Sequence, residues 1–204
     1  MRREVTTAAE LRAIVGEPDQ YVASKVKDRL SPVQRDWLAH SPLAFVATTD
    51  AQGRVDVSPK GDPLGFVHVI DDRTIAIPDR PGNKRVDGYL NVLQRPQVGT
   101  VFVVPGRGDT LRINGRGRIL ADSEYFDAMT VQGKRPHLAL EIDIEEVFFH
   151  CAKAFLRSNV WKPETWNPTA LPSVAQIAKA LRWDWTEAQL EERYNEDNVR
   201  RILY

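Results

Sequence analysis

Leu43-Ala44-Phe45-Val46-Ala47-Thr48-Thr49, then Asp50-Ala51-Gln52-Gly53, then Arg54-Val55-Asp56-Val57 is the stretch that decides the fold class. β-Branched and aromatic side chains crowd the first run, and a short polar turn ending in glycine separates it from the second. Two strands joined this closely pair antiparallel, because a parallel return needs a crossover of about a dozen residues or more. The pattern repeats outward. Phe66–Ile70 and Thr74–Ile77 flank an Asp71-Asp72 turn, and Gln97–Val104 meets Thr110–Leu120 across Pro105-Gly106-Arg107-Gly108-Asp109. Leu138–Ile144 and Val147–Phe149 fit two further strands. One helix interrupts the series from Asn83 to about Leu93, with Val86, Leu90 and Leu93 at helical spacing, and Asp122–Val131 also reads as helix.

Both ends change character. Thr7-Ala8-Ala9-Glu10 is a capping-box pattern ahead of Leu11, Ile14 and Val15, and Gly16 closes that helix. Ser31-Pro32 opens another before Trp37 and Leu38. Ser173–Leu181, Thr186–Tyr194 and a last turn or two ending at Leu203 return the chain to helix. The reading is one mainly β domain over residues 1–204: a helical extension (1–40), an antiparallel β-barrel (41–160) and a helical tail (161–204).

The composition narrows the function classes. The 204 residues are 42% hydrophobic and 27% charged, enough for a sizeable core. Lys and Arg number 28 and Asp and Glu 28, so no cationic surplus exists for a phosphate backbone, and no nucleic-acid partner is expected. A local basic pocket is compatible with zero net charge. The single cysteine, Cys151, forbids an intrachain disulfide and a cysteine-cluster metal site, which fits a reducing cytoplasm; it reads as a buried small residue. No apolar run has signal-peptide or bilayer-spanning character, so a cytoplasmic protein without a membrane partner is expected. His40, His68, His137 and His150 lack metal spacing, and neither a phosphate loop, a dinucleotide fingerprint nor a Gly-x-Ser-x-Gly elbow occurs.

Three stretches carry candidate chemistry. Ile77-Pro78-Asp79-Arg80-Pro81-Gly82-Asn83-Lys84-Arg85 joins a strand to the interrupting helix and puts Lys84 and Arg85 in its first turn. Cations there oppose the helix dipole, unless a bound dianion lets the amides, Lys84, Arg85 and Arg80 converge on one phosphate. The alternative is an exposed helix start whose basic side chains extend into water. Asp56-Val57-Ser58-Pro59-Lys60-Gly61-Asp62 supplies donors at a strand end, or is an ordinary turn. Thr110, Arg112 and Asn114 share one strand face, either solvated or lining an interface.

In order and spacing these stretches, with Pro96-Gln97-Val98-Gly99 and Thr110-Leu111-Arg112-Ile113-Asn114-Gly115, resemble the pyridoxamine 5′-phosphate oxidase-like, FMN-binding split-barrel family. The resemblance runs from about Ser41 to Leu120, and more loosely over His150 to Trp161. It implies a six-stranded split barrel, a homodimer and FMN sites at the subunit interface. It further implies that Lys84 and Arg85 hold the FMN phosphate with Asn83 at the place of a serine, and that Ile77 and Pro78 touch the flavin. Ser58, Lys60, Asp79 and Arg80 would belong to the same site, with Thr110 and Arg112 reaching across from the second subunit. Val55 stands where the true oxidase has an arginine, and no C-terminal Arg-x-His clamp is present, so oxidation of pyridoxamine phosphate is not implied. What is implied is an FMN-dependent oxidoreductase acting on an unknown small molecule. The alternatives are a non-catalytic flavin store or sensor, and a barrel that uses a deazaflavin or haem.

Overall fold

Alternation builds the sheet. On β1 (Leu43–Thr49), Ala44, Val46 and Thr48 are buried, while Phe45 faces outward. β2 (Val55–Gly61) runs antiparallel to it, with Phe45 opposite Pro59 and Ala47 opposite Val57. The computed structural model describes residues 2–181 and 184–204. In it β1 and β2 join β3 (His68–Val69), β4 (Thr74–Pro78), β5 (Gln97–Val103), β6 (Thr110–Leu120) and β7 (Ala139–His150). They form one seven-stranded sheet in the order β2-β1-β5-β6-β7-β4-β3, every pair antiparallel. Val46, Ile75, Ile77, Phe102, Leu111 and Ile142, from five of these strands, meet in one core. Burying each such side chain stabilises the fold by roughly 1.5–3 kcal/mol. The result is a mainly β split barrel with flanking helices.

The seventh strand is β3, a two-residue rung on the edge of β4. It is all that remains of the expected Phe66–Ile70 strand, because Phe66 and Val67 turn into the core instead. The two strands expected after Leu138 are one. Asn114 opposes Glu146 and Gly115 opposes Ile144, so Glu145 is the extra residue of a bulge that breaks the hydrophobic alternation without ending β7. Residues 124–129 form a 3₁₀ segment rather than a longer helix.

The interrupting helix starts later than its spacing suggests. α1 (Ala8–Val15), α2 (Gln20–Ser24) and α3 (Pro32–Ala39) precede the barrel, and the helix between β4 and β5 is α4 (Asp87–Gln94). Asn83, Lys84, Arg85 and Val86 therefore lie in a loop, not in a first helical turn. The Asn83 carboxamide oxygen accepts the Arg85 backbone N–H at 3.0 Å, a local turn that competes with helix. Asp87, not a cation, occupies the first turn, in agreement with the helix dipole.

Of the flanking helices, α1 and α2 bury nothing, whereas α3 seats Trp37 and Leu38 in the core. α5 (Lys153–Ser158) follows β7, and Cys151 between them is exposed, not buried as expected. α6 (Val174–Ala180) and α7 (Glu187–Tyr194) share a small core of Ala175, Ala178 and Leu190, and α8 (Glu196–Arg201) leads to Tyr204. Among the described residues no helix is long and apolar enough to cross a membrane, and no cluster of His, Cys, Asp or Glu could hold a metal ion.

Candidate functional site

β2 alternates so that Asp56, Ser58 and Lys60 are part-buried on one side and Val55, Val57 and Pro59 are exposed on the other. The first set faces the β4–α4 loop across a cavity of about 690 Å³. That size falls within the range of about 300–1,000 Å³ that small-molecule sites occupy.

The floor is a three-residue cluster. Asp79 Oδ1 accepts the Tyr89 hydroxyl at 2.9 Å and lies 3.8 Å from Lys60 Nζ, which sits 4.8 Å from the centre of the Tyr89 ring. Burial, then the Asp79 charge and this hydrogen bond, push the Tyr89 phenol well above its ordinary range. The Lys60 side chain is thereby positioned against the cavity by a carboxylate and a ring face.

Arg80 also lines the cavity, but its donors are engaged elsewhere. Its side chain is only 13% exposed; Nε donates to Asp62 Oδ2 at 2.6 Å and Nη2 to the Met129 carbonyl at 2.6 Å. Asp62, 1% exposed, also accepts the Tyr204 hydroxyl through its other oxygen.

The basic loop forms the rim. Lys84 and Arg85 are exposed, and Arg85 Nε donates to Asp87 Oδ2 at 2.7 Å. That hydrogen bond, then the Asp87 charge, raises the Arg85 guanidinium further. Among the described residues Lys84 makes no ion pair. Lys84 (φ 62°) and Val86 (φ 50°) both adopt left-handed backbone. Such conformations cost on the order of 1–3 kcal/mol each and gather at ligand clamps. Behind the loop, a Cβ at Gly88 would lie 3.4 Å from Asp56 Oδ2 and 3.5 Å from Thr48 Oγ1, so the glycine keeps open the space between the start of α4 and β2.

Of the residues singled out in the sequence, Ser58, Lys60, Asp79, Arg80, Asn83, Lys84 and Arg85 meet around this one cavity. Ile77 and Pro78 do not; both are buried on β4. Thr110 and Arg112 lie outside the cavity of their own chain, Thr110 buried and the Arg112 guanidinium 5.0 Å from the centre of the Phe148 ring. Asp56, Asp87, Gly88, Tyr89 and His137 line the cavity as well; Asp56 opens one of the candidate stretches but was not assigned to the site, and the other four were passed over. The alternation that selects Ser58 and Lys60 also selects Asp56. His137 is distant in sequence and carried no signal.

The donor set fits a phosphorylated, planar cofactor such as FMN. Ser58, Asn83, Lys84 and Arg85 offer polar hydrogens to a phosphate or ring edge, and the Gly88 gap leaves room beside them. Three carboxylates, Asp56, Asp79 and Asp87, face the same space, and the latter two already hold cations.

Residues 30–151 match the family model described as pyridoxamine 5′-phosphate oxidase. Similar solved structures include HupZ of Group A Streptococcus, 22% identical over 59% of this chain and 93% of that one, with a TM-score of 0.48. An FMN-binding protein from Syntrophomonas wolfei is 17% identical over 58% of this chain and 89% of that one, TM-score 0.44. HutZ, the haem storage protein of Vibrio cholerae, is 17% identical over 60% and 94%, TM-score 0.40. The comparison with curated proteins found no match.

Proposed function

The chain belongs to the pyridoxamine 5′-phosphate oxidase family, and from that membership we propose that it binds FMN in this cavity and serves as an FMN-dependent oxidoreductase. The observation that carries the reading is the rim: Lys84, without an ion pair among the described residues, and Arg85 beside it, on a strained loop at the mouth of a cavity of fitting size. When bound, FMN supplies hydride or electron transfer at its ring system. Lys84 and Arg85 bind the phosphate, Arg85 exchanging its bond to Asp87 for one to the ligand. Ser58 donates its hydroxyl from β2. Lys60, fixed by Asp79 and Tyr89, presents an ammonium that favours electron-rich ring edges.

The same proposal includes a homodimer. Across the outer face of the sheet, Pro59, Phe45, Val101, Arg112 and Phe148 stand opposite one another on consecutive strands. Phe45 is 41% exposed and Val57, in the next row, 58%. A second copy on this face would cover them and bring Arg112 towards a neighbour.

The experiment is the absorbance spectrum of the purified protein, with the ligand released by acid identified. A flavin spectrum and FMN are expected, followed by bleaching with NADH or NADPH and turnover on an added acceptor. A haem band, or no uptake of FMN by the colourless protein, would overturn the reading. Uptake without any turnover would leave a flavin store.

A further inference from the structure

The N-terminal arm carries an apolar face that its own chain leaves uncovered. α1 is capped at both ends: the Thr7 hydroxyl accepts the Glu10 N–H, and the Gly16 N–H closes on the Arg12 carbonyl. Leu11, Ile14 and Val15 stand at i, i+3 and i+4, so they share one helix face, and Ile14 and Val15 are 63% and 64% exposed. On α2, Tyr21 is 80% exposed. Among the described residues neither helix buries a side chain. An eight-residue helix is marginal in water by itself and owes its stability to packing of an amphipathic face. This face needs a partner.

The arm is rooted at one end of the sheet. Lys27 and Val147 exchange backbone hydrogen bonds of 3.1 and 2.7 Å, and Lys25 Nζ lies 5.4 Å from the centre of the Phe148 ring. The chain before Lys25 therefore leaves beside Phe148, the last residue of the outer row that begins at Pro59. At the other end of that row β2 exposes Val55 and Val57. Two rows packed face to face with like ends together would set Lys25 and Arg112, both on the Phe148 ring, against their own copies. A two-fold axis along the strands avoids this and lays each Phe148 end over the neutral β2 end of the other copy. A stable interface uses about 20–30 residues a side, more than a row of five and its flank supply. Lipid is the poorer partner: Arg2, Arg3, Arg12 and Lys25 are balanced by Glu4, Glu10, Glu17 and Asp19, without the cationic excess of membrane-surface helices. We propose that the arms are exchanged in a dimer, α1 of each copy lying on Val55 and Val57 of the other. The exchange rests on the homodimer of the proposed function and adds the segment that completes it.

Sedimentation of the full chain over a concentration series tests this. It reads the dimer dissociation constant of the wild type, of Leu11→Asp with Ile14→Asp, of Val55→Asp, and of all three changes combined. The arm change and the β2 change should each weaken the dimer at least about tenfold. Their combination should be little weaker than either, because both remove the same contact. Where all are dissociated, melting temperatures should match the wild type, since these side chains are exposed in their own chain. A dimer indifferent to the arm change, or losses that simply add, overturns the exchange and leaves the dimer standing; a wild-type monomer overturns both. A lowered melting temperature of the monomeric arm variant would seat the arm on its own chain. Wild-type binding to phosphatidylcholine–phosphatidylserine vesicles, lost in that variant, would assign it to lipid. Either result overturns the exchange.

Discussion

A charged residue's chemistry here depends on the partner it already has. Arg80 and Arg85 look equivalent in the sequence, yet Arg80 is locked by Asp62 and two carbonyls while Arg85 holds only an exposed carboxylate. Their type and spacing were legible. Their availability was not, because Asp62, Met129 and Lys134 approach only when the chain folds. Tyr89 was read merely as part of a helical run, and its burial against Asp79 has a testable consequence. A phenol raised in the folded state stabilises fully below the ordinary tyrosine value near 10, and that contribution is lost as the pH climbs beyond it. In an alkaline titration followed by ultraviolet absorbance, Tyr89 should therefore ionise only as the protein unfolds, and Tyr89→Phe should remove one such late-titrating phenol. Gly115 carries a sharper demand. A Cβ there would lie 2.0 Å from the Asp143 carbonyl oxygen. Gly115→Ala should lose stability at or above the top of the roughly 1–3 kcal/mol range for overpacking, read as a lowered denaturation midpoint.

At the level of elements, the β-rich runs found β1, β4, β5 and β6 to within a residue, whereas β2 continues four residues beyond Val57, through the Ser58–Gly61 stretch read as a strand end or turn. The failures have local causes. A bulge at Glu145 imitates a strand end, and an asparagine turn delays α4. The delay changes the electrostatic argument for the anchor: the basic pair does not oppose a helix dipole but sits on a loop just ahead of one, with Asp87 holding Arg85 at 2.7 Å. Asp87 then does two opposed things. It favours the helix start, worth about 0.3–1 kcal/mol, and under the proposed function it would compete with the phosphate for Arg85. Asp87→Asn should accordingly tighten FMN severalfold while lowering thermal stability slightly. Looser FMN binding together with an unchanged melting temperature would remove both roles.

For the whole molecule, the barrel class was legible while the apolar face it leaves exposed was not. The Val98–Val104 region is largely buried within one chain: Val98, Thr100, Phe102 and Val103 are all buried. The apolar surface left over runs instead from Pro59 and Phe45 to Phe148, a row that forms only when β2, β1, β5, β6 and β7 are set side by side. Light scattering at micromolar concentration should give twice the chain mass, and Phe45→Asp with Val57→Asp should give folded monomers; a wild-type monomer would remove the dimer. The proposed function turns on the cavity and on its basic rim of Lys84 and Arg85. The most direct measurement is the affinity of wild-type and Lys84→Glu protein for FMN and for riboflavin, which lacks the phosphate. Wild type should bind FMN far more tightly than riboflavin, and Lys84→Glu should weaken FMN at least about tenfold, one charge-assisted contact, with riboflavin nearly unaffected. Equal affinity for the two flavins, or FMN binding indifferent to Lys84→Glu in a folded protein, would contradict the phosphate anchor.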